Sequence, residues 1–143
     1  MKLLVIGSKA RVEKYLPDLP ITREVETVVV ERGASDDEIL DAASDADFIM
    51  ADAISPVSAR LIESMPNLKL IHSEGVAYNA IDLDAARARS VLVCNNAGAN
   101  AVGVAEQTVL LMLACLRDAV NADAAVRDGG QIQTKERMML EGI

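Results

Sequence analysis

Short hydrophobic runs alternate with amphipathic stretches along the first hundred residues. Five of these runs are rich in Val, Ile and Leu, as buried parallel strands are, and they cover residues 2–7, 25–30, 47–51, 68–72 and 91–94. Helix-type spacing separates the runs, with a capping box at Ser35–Glu38 and a serine–proline helix start at Ser55–Pro56. The alternation predicts an α/β fold in which helices cover both faces of a parallel five-stranded sheet.

Right-handed crossovers leave few ways to order five parallel strands, and the flavodoxin-like order 2-1-3-4-5 is the preferred one. After the fifth strand the pattern changes, because the apolar residues between 102 and 120 fall on nearly all sides of a helix. This predicts one long helix without a polar face, which has to be covered on every side. A turn at Asp128–Gly130 and a terminal segment with exposed apolar residues at Met138–Leu140 follow. A length of 143 residues fits one domain, and nothing in the pattern indicates a second complete domain.

Composition narrows the classes of partner. The chain of 143 residues carries a formal charge of -8 and only 2% aromatic residues, which disfavours binding to nucleic acid. Its longest apolar run, 108–116, is well short of the roughly 20 residues that cross a bilayer, so we expect no membrane partner. The first residues are predicted to form a strand and not a signal peptide, so we expect a cytoplasmic location. The two cysteines, Cys94 and Cys115, lie in apolar runs and are predicted to be small core residues.

Two loops rich in small residues follow the fourth and fifth strands, at positions 74–79 and 97–101. The carboxyl ends of neighbouring parallel strands meet at one edge of the sheet, where α/β proteins bind small ligands. Small side chains at Gly75 and Ala77 let a ligand approach the backbone. Asn100 is suited either to cap the apolar helix or to hydrogen-bond a carboxylate, and on physical grounds alone capping is favoured.

Other candidate residues carry less chemistry, and no catalytic or metal-binding residue is predicted. Gly7 marks a simple strand-to-helix turn, and the single histidine, His72, is predicted to be a structural imidazole. Asp52 ends the third strand much as the phosphoacceptor of response-regulator receivers does. A receiver also needs an acidic pair after the first strand, where this chain has Gly7, Ser8 and Lys9. It needs a lysine after the fifth strand, where this chain has Asn95 and Asn96, so phosphorylation is not expected.

Several motifs, taken in order, resemble the D-isomer-specific 2-hydroxyacid dehydrogenases, the family of phosphoglycerate, D-lactate and formate dehydrogenases. They are Pro66–Ile71, Gly75–Val76, Ile81–Arg87 and Val104–Glu106, followed by the helix that ends at Arg117. The resemblance implies that residues 1–100 form the amino-terminal, flavodoxin-like substrate domain. It also implies that residues 101–143 form the start of a truncated dinucleotide-binding domain.

In this family a nicotinamide cofactor, NAD(H) or NADP(H), exchanges hydride with a small 2-hydroxy or 2-oxo acid. The resemblance implies that the backbone amides of Val76 and Ala77 bind the substrate carboxylate, that Asn100 lies beside the substrate, and that a homodimer forms through helix 102–120. No Gly-x-Gly-x-x-Gly fingerprint occurs, and the family's catalytic Arg, Glu and His fall beyond Ile143, so the chain alone is expected to be inactive. The alternative is a stand-alone small-molecule-binding or oligomerisation module without catalysis.

Overall fold

The structure, a computed structural model, describes residues 1–131 and contains a five-stranded sheet in the order β2-β1-β3-β4-β5. All neighbouring strands pair in parallel, so the predicted topology is confirmed. The strands are β1 (Lys2–Ile6), β2 (Glu26–Val30), β3 (Phe48–Ala51), β4 (Leu70–Ser73) and β5 (Leu92–Asn95). The helices between them are α1 (Lys9–Tyr15), α2 (Pro20–Arg23), α3 (Asp36–Ala43), α4 (Ala59–Ser64) and α5 (Leu83–Ala88).

The hydrophobic core lies on one face of the sheet. Leu4, Ile49 and Ile71 are lateral neighbours on three adjacent strands, and all three are fully buried. Helices α3, α4 and α5 supply the opposing side chains of this core, which include Ile39, Leu61, Ile62, Ala85 and Ala86. Because parallel strands bury their side chains in lateral rows, the strand register determines which residues meet in the core.

The opposite face of the sheet is covered less completely. A cavity there is lined by Val5 and Met50 of the sheet and by Val12 and Tyr15 of α1, which places this helix over the second face. Helices therefore lie on both faces, as predicted. On the edge strand β5, however, Leu92 remains 68% exposed.

One predicted helix start is confirmed and one is wrong. The backbone N–H of Ser35 donates to Glu38 Oε2 at 2.7 Å and the N–H of Glu38 donates to Ser35 Oγ at 3.4 Å, which is the expected capping box. Helix α4 does not begin at Ser55–Pro56; its N-cap is Ser58, whose Oγ accepts from the N–H of Leu61. The intervening Val57 pairs with Ile81 in an isolated parallel bridge, so the chain stays extended beyond the proline.

A second compact unit begins at Ala99 and contains α6 (Ala101–Leu116) and α7 (Ala119–Arg127). The predicted continuous helix 102–120 is thus wrong, because Asp118 adopts a left-handed conformation with φ of 51°. Aspartate tolerates this conformation better than most residues, so it provides a natural break. The predicted turn at the glycines is present, with Gly129 at φ 79°, whereas Met138–Leu140 lies outside the described residues.

The sequence pattern predicts that the apolar helix α6 is covered on every side, but no such cover is found within residues 1–131. None of its side chains is buried, and Val109, Leu110, Leu111 and Met112 are each more than half exposed. The prediction that both cysteines are core residues is also wrong, since Cys115 on α6 and Cys94 on the edge strand β5 are exposed free thiols. Among the helices in residues 1–131, none combines the length and the apolar character needed to cross a membrane.

Candidate functional site

The segment Glu74–Ala77, here called the 74–77 loop, leaves the carboxyl end of β4 and is held by the last residue of β5 and the residue after it. Asn95 Nδ2 donates to the carbonyl of Val76 at 2.7 Å, and the backbone N–H of Asn96 donates to the carbonyl of Gly75 at 2.9 Å. Because β4 and β5 are neighbours in the sheet, the two segments singled out from the sequence do begin side by side. The structure connects them through Asn95 and Asn96, which sequence reasoning had not selected.

Both ends of the 74–77 loop are fixed in the same way. The carbonyl of Glu74 accepts from Asn96 Nδ2 at 3.4 Å, and the carbonyl of Ala77 accepts from Ser73 Oγ at 2.5 Å. The N–H of Glu74 donates to the carbonyl of Ala51 at 2.8 Å, which continues the sheet by one bond. All four carbonyls of the loop are therefore hydrogen-bonded to groups at the strand ends.

Three of the four backbone N–H groups of this loop have no hydrogen-bond partner among residues 1–131. Within residues 1–131, no hydrogen bond uses the N–H groups of Gly75, Val76 or Ala77. Val76 is 45% exposed and Ala77 is exposed as well, so these groups lie where a ligand can reach them. Successive backbone N–H groups whose carbonyls are engaged elsewhere are suited to bind an anion such as a carboxylate.

Gly75 has a packing role that the sequence did not reveal. A Cβ atom built at Gly75 would lie only 2.6 Å from Cβ of Ala53, in the connection between β3 and α4. This separation is far shorter than the 3.5–4.0 Å at which carbon atoms normally pack. Glycine is therefore required by the close approach of two loops, in addition to any access it gives to a ligand.

Charged side chains surround a cavity of about 270 Å³ next to the 74–77 loop. Arg11 forms an ion pair with Glu74, and Arg32 Nε lies 2.5 Å from Asp52 Oδ2. The cavity opens at the carboxyl ends of β1 and β3, the switch point at which α/β sheets commonly bind ligands. No motif surrounds either arginine in the sequence, so only the tertiary structure identifies them.

Asp52 has a structural environment. Its side chain is buried, and Oδ1 accepts from the N–H groups of Ile54 at 3.1 Å and Ser55 at 2.8 Å. Burial by itself raises the pKa of Asp52, but the hydrogen bonds from Arg32 and from these backbone groups together hold the pKa below its usual value. The carboxylate thus stabilises the turn after β3, in line with the sequence argument against a phosphoacceptor.

The other candidate residues have simpler surroundings. Asn100 occupies the N-cap position of α6, but its side chain makes no capping hydrogen bond, so the favoured capping role is not observed. Its contact with a carboxylate remains a prediction. His72 is half-buried on β4, and its Nδ1 lies 3.1 Å from Sγ of Cys94, a partner that the sequence did not suggest.

The described residues provide neither a metal site made of His, Cys, Asp and Glu ligands nor a dinucleotide site. Within residues 1–131, no group of three or more His, Cys, Asp or Glu side chains is placed to hold a metal ion. The turn after β1 contains one glycine, Gly7, and leads into α1, which is only seven residues long. A dinucleotide site requires a glycine-rich turn followed by a helix N-terminus, and this segment does not fit that requirement.

Comparison with known proteins identifies a single family. The family model described as D-isomer specific 2-hydroxyacid dehydrogenase, catalytic domain, matches residues 4–141. D-3-phosphoglycerate dehydrogenase of Methanocaldococcus jannaschii is 34% identical over 111 residues, which are 78% of this chain and 21% of that protein. Hydroxypyruvate reductase of Thermotoga maritima is 33% identical over 65% of this chain and 30% of that protein. The chain thus spans about a fifth to a third of the length of these relatives.

Solved structures agree with this comparison. A 2-hydroxyacid dehydrogenase from Ketogulonicigenium vulgare superposes with a TM-score of 0.76 at 28% identity, covering 96% of this chain and 44% of the other. The NAD-dependent formate dehydrogenase of Staphylococcus aureus, in complex with NAD, gives a TM-score of 0.69 at 26% identity, covering 92% and 42%. The arrangement of strands and helices is therefore shared with enzymes that are about twice as long.

Proposed function

Because the chain belongs to the D-isomer-specific 2-hydroxyacid dehydrogenase family, we propose that it forms the substrate-binding part of an oxidoreductase that uses NAD or NADP. The substrate is a small 2-hydroxy acid or the corresponding 2-oxo acid. Residues 1–98 supply the binding loop, and residues from 99 onward begin the connection to the cofactor domain. The catalytic unit is not complete in this chain.

The unused amides of the 74–77 loop are the observation that carries this proposal. A 2-hydroxy acid has its carboxylate directly beside the carbon that gains or loses hydride. Binding the carboxylate to the N–H groups of Val76 and Ala77 fixes the position of that carbon, and correct positioning supplies a large part of catalysis. The carbonyls of Gly75 and Val76 share peptide planes with these two N–H groups, so the hydrogen bonds from Asn96 and Asn95 keep the donors oriented before the ligand arrives.

A nicotinamide accepts or gives up the hydride when it is bound, but the described residues offer it no fitting site. The single histidine, His72, lies on β4 two positions before the 74–77 loop, and its Nδ1 is engaged with Sγ of Cys94 on the sheet. We therefore propose that the cofactor and the acid–base groups come from residues that this chain does not contain. These 143 residues are expected to bind a substrate without converting it.

We test the binding role by amide NMR, with D-lactate as the probe and lactamide as the neutral control. D-lactate is expected to shift the signals of Gly75, Val76 and Ala77, whereas lactamide, which lacks the carboxylate, leaves them in place. Reduction of NAD or NADP by the chain in the presence of D-lactate is expected to be absent. Equal shifts with both compounds would refute carboxylate recognition, and measurable turnover would refute the incomplete active site.

We also propose that the chain forms a homodimer through α6. Side chains on all sides of this helix are exposed, among them Val109, Leu110, Leu111 and Met112. A contiguous apolar surface of this kind is typical of a protein–protein interface. Sedimentation at tens of micromolar is expected to show a dimer, and a monomer at that concentration would contradict the proposal.

The same helix supports a second candidate, an oligomerisation module without a substrate. The two candidates differ in what the 74–77 loop does. Self-association without any response of the loop amides to D-lactate would favour the module, whereas a response confined to those amides favours the dehydrogenase part.

A further inference from the structure

Three side chains with soft donor atoms lie in one lateral row across the sheet. Met50 on β3 is the register partner of His72 on β4, and His72 is the register partner of Cys94 on β5. Lateral partners in parallel strands project from the same face and are about 4.8 Å apart. A thioether, an imidazole and a thiol are thus placed next to one another on the more open face of the sheet.

Two of the donor atoms are already in contact. Nδ1 of His72 lies 3.1 Å from Sγ of Cys94, and the thiol is exposed while the imidazole is half-buried. A metal bound to both atoms, with bonds of about 2.3 Å to sulfur and 2.0 Å to nitrogen at a trigonal angle, separates them by about 3.7 Å. Side-chain rotations that increase the distance between these two atoms by roughly half an ångström are enough to admit the ion.

The donor set determines which metal fits. Magnesium, calcium and manganese prefer carboxylate and carbonyl oxygens. Within residues 1–131, no cluster of three His, Cys, Asp or Glu side chains completes a site for these metals or for zinc. Thiolate and thioether ligands instead select Cu(I). We propose that Cys94, His72 and Met50 bind one Cu(I) ion. The thiol loses its proton to solvent as the sulfur–copper bond forms, and no electron is transferred.

The affinity for Cu(I) is measured anaerobically by competition with bicinchoninate, and Cys115 provides the internal control because it is also an exposed free thiol. One high-affinity ion per chain is expected. C94S and H72A are each expected to weaken binding by at least about tenfold, since even the loss of an outer-shell partner has an effect of this size. M50L is expected to weaken it severalfold, and C115S is expected to leave it unchanged.

A second readout does not depend on substituting the sheet. Cu(I) is expected to protect Cys94 but not Cys115 from alkylation by iodoacetamide in the unmodified chain, as measured by mass spectrometry. Equal protection of both thiols, wild-type affinity in C94S, H72A or M50L, or tighter binding of Zn(II) than of Cu(I) would each overturn the three-donor Cu(I) site. Neither readout involves a hydroxy acid, so the result is independent of the proposed dehydrogenase role.

Discussion

Replacing Gly75 by alanine tests the packing that holds the 74–77 loop. The added Cβ would lie 2.6 Å from Cβ of Ala53. The glycine does not have a positive φ, so alanine is compatible with its backbone and the perturbation is steric. The contact is between two Cβ atoms, which have no side-chain torsion to relieve it, so one of the two backbone segments has to move.

The expected cost follows from the size of that movement. Relief requires roughly 1 Å of separation, since carbon atoms pack at about 3.5–4.0 Å. Overpacking of this kind costs about 1–3 kcal/mol of unfolding free energy. The shift is opposed by the bond from the N–H of Glu74 to Ala51 and by the bond from Asn96 to the carbonyl of Gly75. Displacing these bonds also disturbs the amides proposed to bind the carboxylate.

A double-mutant cycle isolates the contact. Urea unfolding is measured for the wild type, G75A, A53G and the double variant. In the double variant, position 53 lacks the Cβ atom that the new Cβ at position 75 would contact. A53G alone is expected to cost less than about 1 kcal/mol as a loop substitution to glycine. The double variant is expected to recover at least about 1 kcal/mol relative to the sum of the single variants. Strict additivity would refute the argument that the Cβ contact is what excludes alanine.

Three further predictions concern a carboxylate, an amide and the exposed helix. Hydrogen bonds lower the pKa of Asp52, so its stabilising contribution is present above about pH 4 and is lost as the pH falls below that value. The urea midpoint of D52N should therefore fall less than that of the wild type when the pH is lowered. N95A should cost about 1 kcal/mol and weaken D-lactate binding, whereas N67A, which removes a long 3.3 Å bond elsewhere, should leave binding intact. L110E should yield monomers in sedimentation, whereas V126E on α7 should not.

Each of these three predictions has an outcome that would contradict it. The reasoning fails for Asp52 if the acid limb is the same in D52N as in the wild type. It fails for Asn95 if N95A leaves both lactate binding and the chemical shift of the Ala77 amide unchanged. The interface assignment fails if L110E and V126E have the same effect on self-association.

Local sequence signals predicted the framework well. Short apolar runs predict the strands of a parallel sheet, which has helices on both faces, and the capping box at Ser35 forms between residues only three positions apart. The parallel order of the strands also follows, since right-handed crossovers admit few alternatives. These features depend on interactions within one element or on general rules of chain topology.

The errors occurred where distant contacts decide local structure. Helix α4 starts late because Val57 pairs with Ile81, a contact that no local pattern signals. Cys94 is exposed because β5 is the edge strand, and an apolar run does not reveal which side of it lacks a neighbour. A sequence pattern measures how apolar a segment is but not what lies against it.

The sequence was enough to predict the strand order, the family resemblance and the loop after the fourth strand as a candidate anion site. The folded structure was needed to explain why three N–H groups of that loop have no partner among residues 1–131. Its carbonyls are held by Ser73, by Asn95 at the end of β5 and by Asn96 directly after it. Its glycine is required by Ala53 in another connection. Hydrogen bonds and steric contacts between segments distant in sequence exist only once the sheet has formed, and they orient the amides proposed to bind a carboxylate.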